Sequence, residues 1–196
     1  MGKFSKRVKS VLMMSLMCAA PFAMADYQLE TVSSSVNFLS TKNVNVTESH
    51  TFDKFNGTIT EDGQLVLVVD LASVNTIIPI RNERMKNMLF DVAQFSQARF
   101  TAKLDEALLN LSPGERKIAT VEGELSLTGV TEQISFDVVV TGLANGQLSA
   151  ATVKPTVINA ADFNLEGGVE ALREIAMLQN ISLAVPFSFY VVFNNN

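Results

Sequence analysis

The sequence predicts an all-β protein: an antiparallel sheet closed into a barrel, with one or two short helices. Three observations predict it. Apolar and polar residues alternate over several runs, turn dipeptides fall between those runs, and the apolar face is rich in Phe, Leu, Val and Ile while Trp is absent. Alternation marks strands with one buried face. Many such strands in series must hide their edges, and closure removes those edges.

The first element is a leader. Lys3, Lys6, Arg7 and Lys9 form a basic start, Val11 to Ala20 form an apolar run, and Ala23-Met24-Ala25 places small residues at −3 and −1 of a cut before Asp26. The run is shorter than the roughly 20 residues that a spanning helix needs. Residues 1–25 therefore read as a secretory signal peptide cut after Ala25, residues 26–196 as one domain, and the destination as the periplasm. Cys18 is the only cysteine. Lipidation there would need a small residue before it, and Met17 holds that place. Cleavage removes Cys18, which excludes disulfides, thiol catalysis and thiolate metal sites from the domain.

Charge excludes a further class. The leader carries four of the Lys and Arg residues, so a whole-chain net charge of −5 becomes −9 over residues 26–196. No basic stripe offsets it, and a polyanion such as nucleic acid would be repelled. Only 18% of residues are charged, which also argues against disorder.

The strands follow in order. Leu65, Leu67, Val69 and Leu71 share one face. Phe100, Ala102 and Leu104 oppose Arg99, Thr101 and Lys103. Val121, Gly123, Leu125 and Leu127 oppose Glu122, Glu124, Ser126 and Thr128, and Ile134, Phe136, Val138 and Val140 continue the pattern. The last strand is predicted over Ile181–Phe193, with Phe187, Phe189 and Phe193 directed inward. Asp62-Gly63, Thr128-Gly129 and Asn145-Gly146 fit tight hairpin turns, and Pro113-Gly114 closes a longer connection. Two segments break the pattern. Asn82–Phe90 places Met85, Met88 and Leu89 on one helical face, and Glu170–Leu178 does so with Ala171, Ile175 and Leu178, preceded by Gly167-Gly168.

Eleven Phe remain after the leader. A barrel lined by them holds either a packed core or a cavity for one small ligand, and periodicity leaves both open. The polar residues offer little chemistry. His50 is the sole histidine, so triads and His-based zinc sites lack partners, and it reads as exposed or hydrogen-bonded. Glu61-Asp62 and Asp105-Glu106 read as solvated turns. No phosphate loop, nucleophile elbow or dinucleotide fingerprint occurs, so no enzyme activity and no cofactor are expected. Arg81 stands out at the start of the Met/Leu helix, where a guanidinium could bind a phosphate or a quinone carbonyl. A salt bridge with Glu83, Glu166 or another acid is the structural alternative. Met85, Met88, Leu89 and Phe90 could be core or a helical lid, unbranched Met being suited to flexible apolar chains.

Several stretches resemble the YceI-like, polyisoprenoid-binding family of bacterial secreted proteins, from Tyr27 to Phe193. The most specific is Val121–Asp137, VEGELSLTGVTEQISFD. The second is Ser73–Phe100, with Thr76, Arg81, Met85, Phe90 and Phe95 in corresponding places. Val36-x-Phe38 and Phe52-x-x-Phe55-x-Gly57 are also similar. Four places depart from the family pattern: Lys42 stands where His is common, His50 where Gly is, and Asn82 where Asp is, and Asn159–Asn164 lacks an Arg and a Gly. The resemblance implies an extended eight-stranded lipocalin-like barrel, and a tunnel holding an amphipathic isoprenoid of polyprenyl phosphate or quinone type. The expected wall and mouth comprise Phe38, Phe52, Phe55, Arg81, Met85, Met88, Leu89, Phe90, Phe100, Phe136, Phe163, Phe187 and Phe189. The alternative is a non-catalytic, stress-related interaction module with a filled core. Homodimerisation and transient contact with inner-membrane proteins are left open.

Overall fold

The computed structural model describes residues 25–196; the expected leader lies outside them, apart from Ala25. The strands are β1 (Ala25–Lys42), β2 (Val46–Phe52), β3 (Phe55–Thr60), β4 (Gln64–Asp70), β5 (Val74–Asn75), β6 (Gln97–Lys103), β7 (Arg116–Leu127), β8 (Val130–Gly142), β9 (Leu148–Thr152), β10 (Thr156–Asn159) and β11 (Ala184–Asn195). Two helices join them, α1 (Pro79–Arg84) and α2 (Glu166–Ile175).

Eight of the strands close a ring. Along the hydrogen-bonded order β1-β3-β4-β6-β7-β8-β9-β11 every pair is antiparallel, and β11 returns to β1. The expected eight-stranded, lipocalin-like barrel is therefore the observed one. β2, β5 and β10 extend it at one end: β2 pairs with Asn37–Lys42 of β1, and β10 with Ala184–Phe187 of β11. Long β1 serves both levels by bending at a bulge between Glu30 and Ser35. The Glu30 carboxylate accepts from Val32 N (2.9 Å) and Ser33 N (2.7 Å), and Ser34 Oγ accepts from Val192 N (2.9 Å), so the bulge keeps its polar groups satisfied.

Inward residues pair across strands as the alternation requires. Val36 lies opposite Phe189 and Phe38 opposite Phe187, while Phe100 sits between Leu67 and Leu125. Phe136 is the hub of the aromatic core, 5.2 Å from Phe100 and 5.5 Å from Phe189, both edge-on. Gly123 is required beneath Phe100, since a Cβ there would lie 2.6 Å from the ring.

Three expectations need adjustment. The last strand begins at Ala184, because Ile181 makes only an isolated bridge to Lys42. The first helix begins at Pro79, whose fixed φ suits a helix start, and α1 runs into one π turn, Met85–Leu89, closed by Phe90 N donating to Met85 O (3.0 Å). The glycines expected before the second helix lie inside it. A Cβ on Gly168 would stand 2.7 Å from Met88 O and 2.8 Å from Leu89 Cα, so the missing side chain is what lets α2 rest on the π turn. Together α1, the π turn and α2 cover the extended end of the barrel.

Candidate functional site

The barrel encloses a cavity of about 240 Å³. It runs from the helical lid, where Met85, Leu89, Phe90 and Val169 face it, to Leu108 and Leu109 at the opposite end. Its wall is apolar throughout except at Asn56 and Ser149. A space so lined repels water and favours hydrocarbon.

Ten of the residues singled out from sequence lie on this wall: Phe38, Phe52, Phe55, Met85, Leu89, Phe90, Phe100, Phe136, Phe187 and Phe189. Three do not. Phe163 is 1% exposed and packs with Ala160 and Leu165, its carbonyl accepting from Thr128 Oγ1 (2.9 Å), so it braces the β7–β8 turn from outside the cavity. Met88 is half-buried, and its backbone is covered by Gly168. Arg81 stands beside the cavity in a polar cluster. The wall also takes Leu29 and Val36 from β1, whose alternation changes phase at the bulge and so escapes a period-two search.

The polar cluster joins β1, β2 and α1. Glu48 Oε2 accepts from Lys42 Nζ (2.6 Å) and from Arg81 Nη1 (2.8 Å). The structural alternative for Arg81 is thus realised, with Glu48 as the acid. Lys42 is the larger cause of a Glu48 carboxyl held below its usual range, with Arg81 adding to it against partial burial. Arg81 Nη2 donates to Thr76 O (2.8 Å). Thr76, 2% exposed, donates from its N (2.8 Å) and Oγ1 (2.6 Å) to Asn82 Oδ1.

His50 corrects an expectation. It is 4% exposed, because β2 places it opposite Phe38, with ring centroids 5.2 Å apart. Burial is the main cause lowering its pKa, followed by Arg81, so the imidazole is neutral near pH 7. Its Nδ1 and Arg81 Nε are buried without hydrogen-bond partners. His50, which carries one of these nitrogens, stands against Phe38, a wall residue at the lid end of the cavity. Among the described residues no three His, Cys, Asp or Glu side chains gather as metal ligands.

Comparison with known proteins fits this geometry. A family model for the YceI-like domain matches residues 27–193. The chain belongs to the YceI-like family. Among solved structures, a polyisoprenoid-binding domain from Saccharophagus degradans, implicated in plant cell wall breakdown, is 37% identical with a TM-score of 0.86, covering 88% of this chain and all of that one. Burkholderia cenocepacia BcnA is 20% identical with a TM-score of 0.65, covering 84% of this chain and 98% of its own. A Campylobacter jejuni YceI protein is 18% identical with a TM-score of 0.54, over 75% and 84%; these last two bear on the fold alone. No curated protein sequence matches the chain.

The two YceI-like motifs meet in space. Val121–Asp137 forms the β7–β8 hairpin, and its Gly129 turn packs under the ring of Phe95 from the Ser73–Phe100 motif, a Cβ there falling 2.9 Å from that ring. The Asn82 departure keeps the acceptor oxygen that Thr76 needs and removes a negative charge.

Proposed function

We propose that this YceI-like chain, once exported to the periplasm, binds a long amphipathic isoprenoid lipid in the barrel cavity and sequesters or carries it without altering it. The observation that carries the reading is the continuous apolar wall from the lid to Leu108 and Leu109. The 37% identity to a domain described as polyisoprenoid-binding supports it. Burial of each CH₂ of such a chain contributes about 0.8 kcal/mol, so the tail supplies most of the affinity. The cavity weighs against the alternative of a module with a filled core.

The polar cluster supports an orientation with the tail toward Leu108 and the head toward His50 and Arg81. An oxygen atom of the head that reached Arg81 Nε would satisfy a buried donor otherwise left unpaired at a cost of about 1–3 kcal/mol. Lys42 and Arg81 share the single carboxylate of Glu48 and His50 is neutral, so the cluster keeps one positive charge that suits a phosphate as well as a carbonyl or hydroxyl oxygen. The test is uptake of a long-chain isoprenoid quinone, a polyprenol and its phosphate by the wild type and by Phe189→Trp. Phe189 lines the cavity, so the larger indole should occupy ligand space, keep stability within about 1.5 kcal/mol and abolish uptake. The wild type should take up at least one of the three. No uptake of any isoprenoid by the wild type, or a Phe189→Trp protein that loses stability as an overpacked core does, would return the filled-core reading.

A further inference from the structure

Of the twelve large apolar side chains exposed among the described residues, Val44, Val46, Ile77, Ile78, Ile80, Ile175 and Met177 lie on the lid helices and the turns beside them, Val44, Ile77, Ile80 and Met177 being the most exposed of these. Hydrogen bonds tie them into one surface. Asn43 N donates to Asn180 O (3.1 Å) and Gln179 N donates to Asn43 Oδ1 (3.0 Å), which sets the Val44 turn beside the Met177 loop. Ile77, Ile78 and Ile80 flank Arg81, which reaches Glu48 and through it Lys42, next to that same turn.

The backbone at these tips is unusual. Val44 (φ +73), Ile77 (φ +67) and Met177 (φ +53) are left-handed and 76%, 88% and 92% exposed. Bulky and β-branched residues rarely adopt that region, and Asn or Gly occupies it with less strain. Asn43 does so next door, at φ +48. Neither the backbone nor the core calls for an apolar side chain at these three places, so its use lies outside the molecule.

Charge distinguishes this end as well. Residues 26–196 carry a net −9, yet around the Val44 turn and α1 Lys42, Arg81, Arg84 and Lys86 stand against Glu48 and Glu83, while on α2 Arg173 stands against Glu166, Glu170 and Glu174. The Val44 and α1 side thus holds two more cations than acids. An anionic surface therefore repels most of the protein and attracts the Val44 and α1 side of the lid end, an asymmetry that orients the molecule.

We infer that the lid end docks on a phospholipid bilayer, inserting Val44, Ile77, Ile80 and Met177 at the interface while the flanking Lys and Arg side chains meet the headgroups. This rests on the proposed lipid-carrier reading and deepens it, since a polyisoprenoid dissolved in a membrane reaches the cavity from there without crossing water. The test is flotation of the mature protein with vesicles of phosphatidylethanolamine containing a minority of phosphatidylglycerol. Wild type should float. Ile77→Asn and Met177→Asn, which suit the left-handed backbone and so should fold with undiminished thermal stability, should each weaken partitioning about tenfold, the loss expected when one such side chain no longer leaves water. Ile80→Ser, on ordinary helical backbone, should do the same. All three should take up a polyprenol offered in cyclodextrin as wild type does. Wild type that stays unbound, or variants that bind equally well, would overturn docking. So would a wild-type dimer, or a complex with a membrane protein, that the same substitutions dissolve. Loss of cyclodextrin-delivered uptake in the wild type would instead count against the carrier reading.

Discussion

At the residue scale, His50 best separates what the sequence discloses from what tertiary structure adds. The inward Phe residues are legible because alternation alone sets their face. His50 is not, since its burial depends on β1 across the strand and on an arginine from α1, neither of which lies near it in the chain. The same holds for Arg81, whose acid partner is 33 residues away. The depressed imidazole pKa makes a pH prediction. The unfolded chain takes up a proton near pH 6.5, the folded chain only lower, so the stability from neutral His50 is complete above about pH 6.5 and is lost as pH falls below it. Urea denaturation at stepped pH should show stability declining from pH 6.5 downward. In His50→Phe that part of the decline should vanish, leaving the later loss from protonation of Glu48 and other carboxylates. An unchanged profile in His50→Phe would show that His50 is not buried neutral.

At the element scale, the strands with regular alternation were readable and the polar or bent ones were not. β1 switches phase at its bulge, so Tyr27 and Leu29 face inward on odd numbers and Val36 and Phe38 on even ones. β2 pairs through polar contacts such as Thr41 Oγ1 with Thr47 Oγ1 (2.9 Å), which leave no apolar period. The lid helices were visible as apolar faces, but their contact was not, because it depends on an absent side chain. That contact predicts opposite outcomes for adjacent glycines. Gly167→Ala meets nothing within 4 Å and should stabilise by up to about 1 kcal/mol through helix propensity. Gly168→Ala drives a Cβ into the backbone of Met88 and Leu89 and should destabilise by about 1–3 kcal/mol. Shifts in urea midpoint measure both. Equal effects at the two positions would mean that α2 does not rest on the π turn.

At the scale of the whole molecule, closure follows from strand order, and the three extra strands lift one end of the wall where the lid and the polar cluster sit. The result is a container with an apolar body and one polar corner. The need to hide strand edges made the barrel predictable from sequence. Whether its interior was full or hollow was not, because alternation reports which side chains point inward but not whether they meet. The wall residues stand around about 240 Å³ of space, and the account depends on what fills it. Native mass spectrometry of the protein purified from the cells that make it, followed by solvent extraction of what it carries, addresses this most directly. A single stoichiometric adduct that extracts as an isoprenoid lipid is the predicted result. A bare protein mass that stays bare after incubation with polyprenols and isoprenoid quinones would contradict it.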